Sequence, residues 1–80
     1  MEIEEIAQYL EDEALVLEGL DDCILGYSHE GTLIYSHAKM VDHFIEIEGM
    51  SEEEALEWID FNVLGLLNNA LGFVMCYEVL

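Results

Sequence analysis

The sequence predicts an α+β fold: a single small domain over residues 1–80, ordered α-β-β-α-α-β, with a three-stranded antiparallel sheet packed with helices. Three observations predict it. Apolar residues recur every three to four positions in residues 2–17, 37–48 and from 51 to about 68. Two short, partly β-branched runs flank a glycine-bearing turn at 22–36, and an apolar run from Phe73 to Val79 follows the last helical stretch. The first periodicity is that of an amphipathic helix; short apolar runs bounded by turn residues are those of strands. Hydrophobic residues make up 54% of the chain, which provides a core and sets it apart from disordered chains of equal charge.

The first helix is expected over residues 2–17, with Ile3, Ile6, Ala7, Leu10, Ala14 and Leu17 as its apolar stripe and Gly19 as its stop. Glu2, Glu4 and Glu5 favour the positive end of its dipole. Strands follow at Cys23–Ser28 and Thr32–Ser36, joined by His29-Glu30-Gly31, a three-residue loop in which glycine takes the left-handed position. A second helix at 37–48 turns Met40, Phe44 and Ile47 inward and ends at Gly49. The third opens on Ser51 with Glu54 three residues later, the pattern of a capping box. Its inner stripe is Ala55, Ile59, Asn62, Val63 and Leu66, and it runs to about Asn68, where Asn69 and Gly72 weaken it. Residues 73–79 close the sheet, because a lone hairpin is marginal in water and a third strand under helices completes it.

Charge is the outlying feature. Nineteen Asp and Glu face one basic side chain, Lys39, for a net −18. Solubility is served by a net charge of roughly 2–8 in a small domain, and unpaired acids repel one another in the folded state. The excess asks for a reason: such a surface either is tolerated for solubility or is needed for a partner, and the lack of interspersed basic residues favours the partner. Acidic, lysine-poor surfaces also suit proteins in strong salt, but Glu outnumbers Asp fourteen to five and the apolar content is high, which argues against that origin.

Nine acids lie in Glu2–Asp22 and eight in Asp42–Asp60. A helix rises 1.5 Å per residue, so acids recurring every one to four residues approach the spacing of DNA charges, one per about 1.7 Å of duplex axis. On the third helix Glu53, Glu57 and Asp60 share an outer face with Phe61 and Leu64, an apolar anchor inside an acidic rim. Glu11, Asp12 and Glu13 form a second patch, with Tyr9 and Val16 beside it.

Catalytic signatures are missing from the sequence: it contains no nucleophile elbow, phosphate loop or dinucleotide fingerprint. His29, His37, His43, Cys23 and Cys76 have no zinc-ribbon or HExxH spacing, and no calcium-loop pattern is present, so neither metal nor cofactor is expected. The uncharged stretch from Phe61 to Tyr77 is interrupted by Asn62, Asn68, Asn69 and glycines and reads as core or interface, not as a membrane span. With no basic stretch ahead of an apolar run, the expected compartment is a reducing cytoplasm, with both cysteines as small core residues.

From Asp21 onward the chain resembles small acidic phage-encoded proteins. The resemblance is carried by Asp21-Asp22, Ile24, Gly26-Tyr27, Gly31, Leu33-Ile34-Tyr35, Lys39-Met40-Val41, Gly49-Met50-Ser51, Glu53-Glu54-Ala55 and Glu57-Trp58-Ile59-Asp60. It implies a viral or mobile-element origin, and hence the host cell cytoplasm. In size and charge the chain is also similar to anti-CRISPR and anti-restriction inhibitors, several of which mimic DNA. The expected function is non-enzymatic: inhibition by binding a basic nucleic-acid-binding protein, such as a CRISPR–Cas complex or a restriction enzyme, without direct binding of nucleic acid. The alternative is a structural or regulatory module that homodimerises through apolar helix faces.

Overall fold

The computed structural model describes residues 3–12, 14–65 and 72–79. Their elements follow the expected order: α1 (Ile3–Ile6), β1 (Ile24–Tyr27), β2 (Leu33–Ser36), α2 (His37–Glu46), α3 (Glu52–Ile59) and β3 (Phe73–Cys76). Short 3-10 turns at Ala7–Tyr9 and Asp21–Cys23 and a π-helical turn at Asp60–Leu64 complete the set. The fold is α+β, with β2 as the middle strand of three.

β2 is central because its residues are apolar on both faces. Leu33, Tyr35 and the terminal Ser36 are fully buried. β1 pairs antiparallel with it, Tyr27 opposite Leu33 and Ile24 opposite Tyr35, with a bulge between Ile24 and Gly26. The connecting turn is the expected one. Gly31 has φ +85°, Ser28 donates its N–H to Thr32 O at 2.7 Å, and Gly31 donates back to Ser28 O at 3.0 Å. A side chain at Gly31 would also meet Glu11, whose Cγ lies 2.8 Å from the Cβ position.

β3 departs from expectation. It pairs parallel to β2, Leu33 opposite Phe73 through Ser36 opposite Cys76, so the sheet is mixed and not wholly antiparallel. An apolar strand reads the same in either direction, whereas its polarity is set by the connection. The long crossover through α2 and α3 permits parallel pairing.

The larger correction concerns residues 2–17. Helix extends only over Ile3–Ile6, a 3-10 turn takes Ala7–Tyr9, and Leu10 is already extended at ψ 146°. Amides that would bond four residues back find tertiary acceptors instead. Glu11 donates to Gly31 O at 2.8 Å, Leu15 to Gly72 O at 2.7 Å and Leu17 to Tyr35 Oη at 2.8 Å. Three tertiary bonds outweigh a local helix propensity that the Glu, Leu and Ala content of the segment favours. The arm presses so closely on the sheet that a Cβ at Gly72 would stand 2.5 Å from Leu15 Cβ. Of the predicted stripe, Ile6 is buried and Leu10, Ala14 and Leu17 are half-buried, but Ala7 is exposed, so the apolar reading survives in part without the helix. Glu2, Glu13 and the side chains of Ile3 and Glu5 lie outside the described residues.

α2 and α3 cover the core. Ser36 caps α2, its Oγ accepting from Lys39 N–H at 3.1 Å while donating to Glu78. Met40 and Phe44 are buried, but Ile47, expected inward, is 67% exposed because α2 ends at Glu46. The capping box is present: Ser51 Oγ accepts from Glu54 N–H at 3.2 Å, and Glu54 Oε1 accepts from Ser51 N–H at 3.1 Å. Ala55, Ile59 and Val63 are buried beneath α3. Asn62, expected on that stripe, is exposed and donates from Nδ2 to Trp58 O at 3.1 Å. Leu66, Asn68 and Asn69 lie outside the described residues.

Candidate partner-binding surface

α3 presents three adjoining clefts. The first, about 300 Å³, lies between the 18–20 segment, the end of α2 and α3, and is lined by Glu18, His43, Phe44, Glu48, Met50 and Trp58. The second is also about 300 Å³, shares Met50 and Trp58 with the first, and adds Glu54, Glu57, Phe61 and Asn62. The third, about 330 Å³, shares Glu57 with the second and is closed by Leu56, Asp60, Leu64, His37 and Tyr77. Glu57 thus stands on a ridge between two hollows.

Local chemistry explains the ridge. The Asn62 side chain takes the Trp58 carbonyl, the acceptor its own backbone N–H would use in a continuous α-helix, and polar side chains that compete in this way loosen a helix. The chain widens there into the π-helical turn Asp60–Leu64, a rare geometry that is frequent at functional sites. Phe61 is thrown outward to 80% exposure. Trp58 is steadied by Phe44, with ring centroids 4.6 Å apart, and His37 stacks on Tyr77 at 4.4 Å.

The sequence-predicted residues distribute unevenly over this surface. Glu57, Asp60, Phe61 and Leu64 come together along the clefts. Leu64 is half-buried and packs on the core, so it is a wall and not the exposed anchor expected of it. Glu53 is exposed on the first turn of the same helix. Glu11 and Asp12 are exposed on the irregular arm at the hairpin turn, where Glu11 bonds Gly31, and Glu13 lies outside the described residues. Tyr9 and Val16 are exposed, with Tyr9 stacked on Tyr27 at 5.0 Å. Sequence reasoning missed Glu18, Glu48 and Glu54, which complete the acidic border. Glu54 was legible only as a cap, and Glu18 joins the surface through tertiary packing.

Among the residues whose side chains are described, every Asp and Glu is exposed except the half-buried Asp21. Their sole ion pair is Asp22 with His43, Oδ2 to Nδ1 at 3.1 Å. Burial draws the Asp22 carboxyl upward, but the hydrogen bond and charge of His43 outweigh it and the net shift is downward. Cys23 Sγ lies 3.8 Å from Asp22 Oδ1, and burial, reinforced by that carboxylate, pushes its thiol up to about 12. Cys23 is fully buried as expected and Cys76 half-buried. A buried thiol held neutral is a poor nucleophile. Among the described residues no helix is long and apolar enough to cross a membrane.

Comparison with known proteins found no matching family model, no matching curated protein and no matching solved structure.

Proposed function

We propose that this chain is a non-enzymatic inhibitor, encoded by a phage or mobile element, that occupies the basic nucleic-acid-binding surface of a host defence protein in the host cytoplasm. A CRISPR–Cas complex or a restriction enzyme is the concrete form of that partner, and carboxylates would stand where phosphates sit. The observation that carries the reading is the α3 ridge: a Phe61 ring 80% exposed, bordered by Glu54, Glu57 and Asp60, none of which has a basic partner among the described residues. Along the axis Glu53, Glu57 and Asp60 rise by about 6 and 4.5 Å, a spacing that basic side chains built for phosphates can follow. Aromatic anchors inside a polar rim are the usual energetic centres of protein interfaces.

The test is charge reversal. The host protein captured on the immobilised chain is titrated with wild type and with Glu57→Lys/Asp60→Lys, while duplex DNA competes. Wild type should displace DNA, and the double variant should bind at least about a hundredfold more weakly, since like charges juxtaposed at an interface cost several kcal/mol. Unchanged affinity, or a captured protein that keeps full DNA binding, contradicts the reading.

Exposure of Phe61, Leu56 and Trp58 favours a second reading, homodimerisation through the α3 face. Two copies carrying −18 each repel, so a dimer would strengthen with salt whereas binding to a basic groove would weaken. Light scattering across a salt series separates them.

A further inference from the structure

At the edge of the first cleft, which His43 also lines, the fold brings that histidine onto two adjacent ligand groups some twenty residues earlier in sequence, Asp22 and Cys23. Asp22 and Cys23 end the 3-10 turn that feeds β1, and His43 stands in the last turn of α2. One carboxylate oxygen, one thiol sulfur and one imidazole nitrogen all lie within 4.8 Å of one another. The carboxylate sits between the other two, with Oδ2 at 3.1 Å from His43 Nδ1 and Oδ1 at 3.8 Å from Cys23 Sγ. Around a tetrahedral zinc ion, with bonds of about 2.0–2.3 Å, neighbouring ligand atoms stand about 3.3–3.6 Å apart. The 3.1 and 3.8 Å contacts run to different carboxylate oxygens, so Asp22 would rotate to offer a single oxygen to an ion held between His43 and Cys23. The exposed Asp22 side chain is free to adjust, while the buried Cys23 and the His43 side chain, only 10% exposed, are held by packing.

We propose that Asp22, Cys23 and His43 form a binding site for a divalent zinc-type cation, with solvent at the fourth position. The donor set selects the metal. A thiolate and an imidazole exclude the hard ions magnesium and calcium, which take oxygen ligands, and match the borderline-soft zinc ion. Charge also balances. On binding, the Cys23 S–H bond breaks, its proton passes to solvent and the sulfur lone pair binds the metal. Thiolate and carboxylate then cancel the two positive charges, His43 adds a neutral nitrogen, and the assembled centre is neutral where half of it is buried. A bound metal stabilises the thiolate that burial alone opposes. The dense negative charge of the whole chain raises the local cation concentration. The site would clamp the turn before β1 to α2, at the border of the first cleft.

Cobalt(II) chloride titrated into the reduced full chain is the test, with magnesium in excess to occupy the surface carboxylates. The expected result is a thiolate-to-cobalt charge-transfer band with tetrahedral visible bands, saturating at one equivalent and displaced by zinc. Carboxylates on the surface cannot produce that band. Cys23→Ser should abolish it and Cys76→Ser leave it intact. Asp22→Asn, at an exposed position that spares the fold, should weaken cobalt binding by about tenfold or more, as losses around metal centres do. No charge-transfer band in the wild-type chain, a band that follows Cys76 instead of Cys23, or unchanged cobalt affinity in a folded Asp22→Asn chain would overturn the proposal.

Discussion

Tyr35 joins the middle strand to the N-terminal arm. Its ring is fully buried, edge-on to Phe73 at 5.6 Å, and its Oη accepts the Leu17 N–H at 2.8 Å. Burial, the largest influence, pushes the phenol upward from its ordinary value, so it remains a neutral hydroxyl. Tyr35→Phe keeps the ring and removes the acceptor, leaving the Leu17 amide unsatisfied. It should cost about 1–3 kcal/mol, read as a lowered midpoint in urea, with faster hydrogen exchange at Leu17. The placement of Tyr35 in a strand was legible in the sequence, from the short run Thr32–Ser36 after the glycine-bearing turn. Its bond to Leu17 was not, since that residue is eighteen positions away, at the end of an arm read as helix. The same holds for Asp22, Cys23 and His43. Metal motifs are recognisable when ligands share a turn or a helix face, and a set split between a strand entry and a distant helix end has no local signature. Phe61 was legible as exposed from helical spacing. Leu64 and Asn62 were misplaced because the π-helical turn resets the angular register at Asp60.

Capping chemistry holds α3 in place. Three glutamates, Glu52, Glu53 and Glu54, fill its first turn, where the helix dipole favours them, and Ser51 satisfies the Glu54 amide. Ser51→Ala should destabilise the chain by about 0.5–2 kcal/mol and lower helicity at α3 in the far-ultraviolet dichroism spectrum. An unchanged thermal midpoint would show that packing of Ala55, Ile59 and Val63 alone fixes this end. The box, the hairpin with its glycine, and α2 were readable because each is written in adjacent residues. Two features were not. The first helix was contradicted by acceptors on Gly31, Gly72 and Tyr35 that no window of the N-terminal sequence contains. The polarity of β3 depends on the path of the crossover, which alternating side chains do not encode.

At the scale of the whole molecule, −18 is carried within a Cα radius of gyration of 12.4 Å. The Debye length is about 10 Å at 0.1 M salt, so carboxylates repel well beyond their nearest neighbours at low ionic strength. Sodium chloride should therefore raise the thermal midpoint, most steeply below about 0.1 M, and calorimetry across a salt series reads it. Repulsion of this size opposes folding, and the account holds that it is retained because the carboxylates around α3 meet a cationic groove. The affinity of the captured host protein for the chain, measured from about 50 to 200 mM salt, tests that claim most directly. Several carboxylates replacing phosphate contacts predict a fall of roughly a hundredfold over that range, opposite in direction to the gain in folding stability. Affinity that holds constant or rises with salt would contradict it.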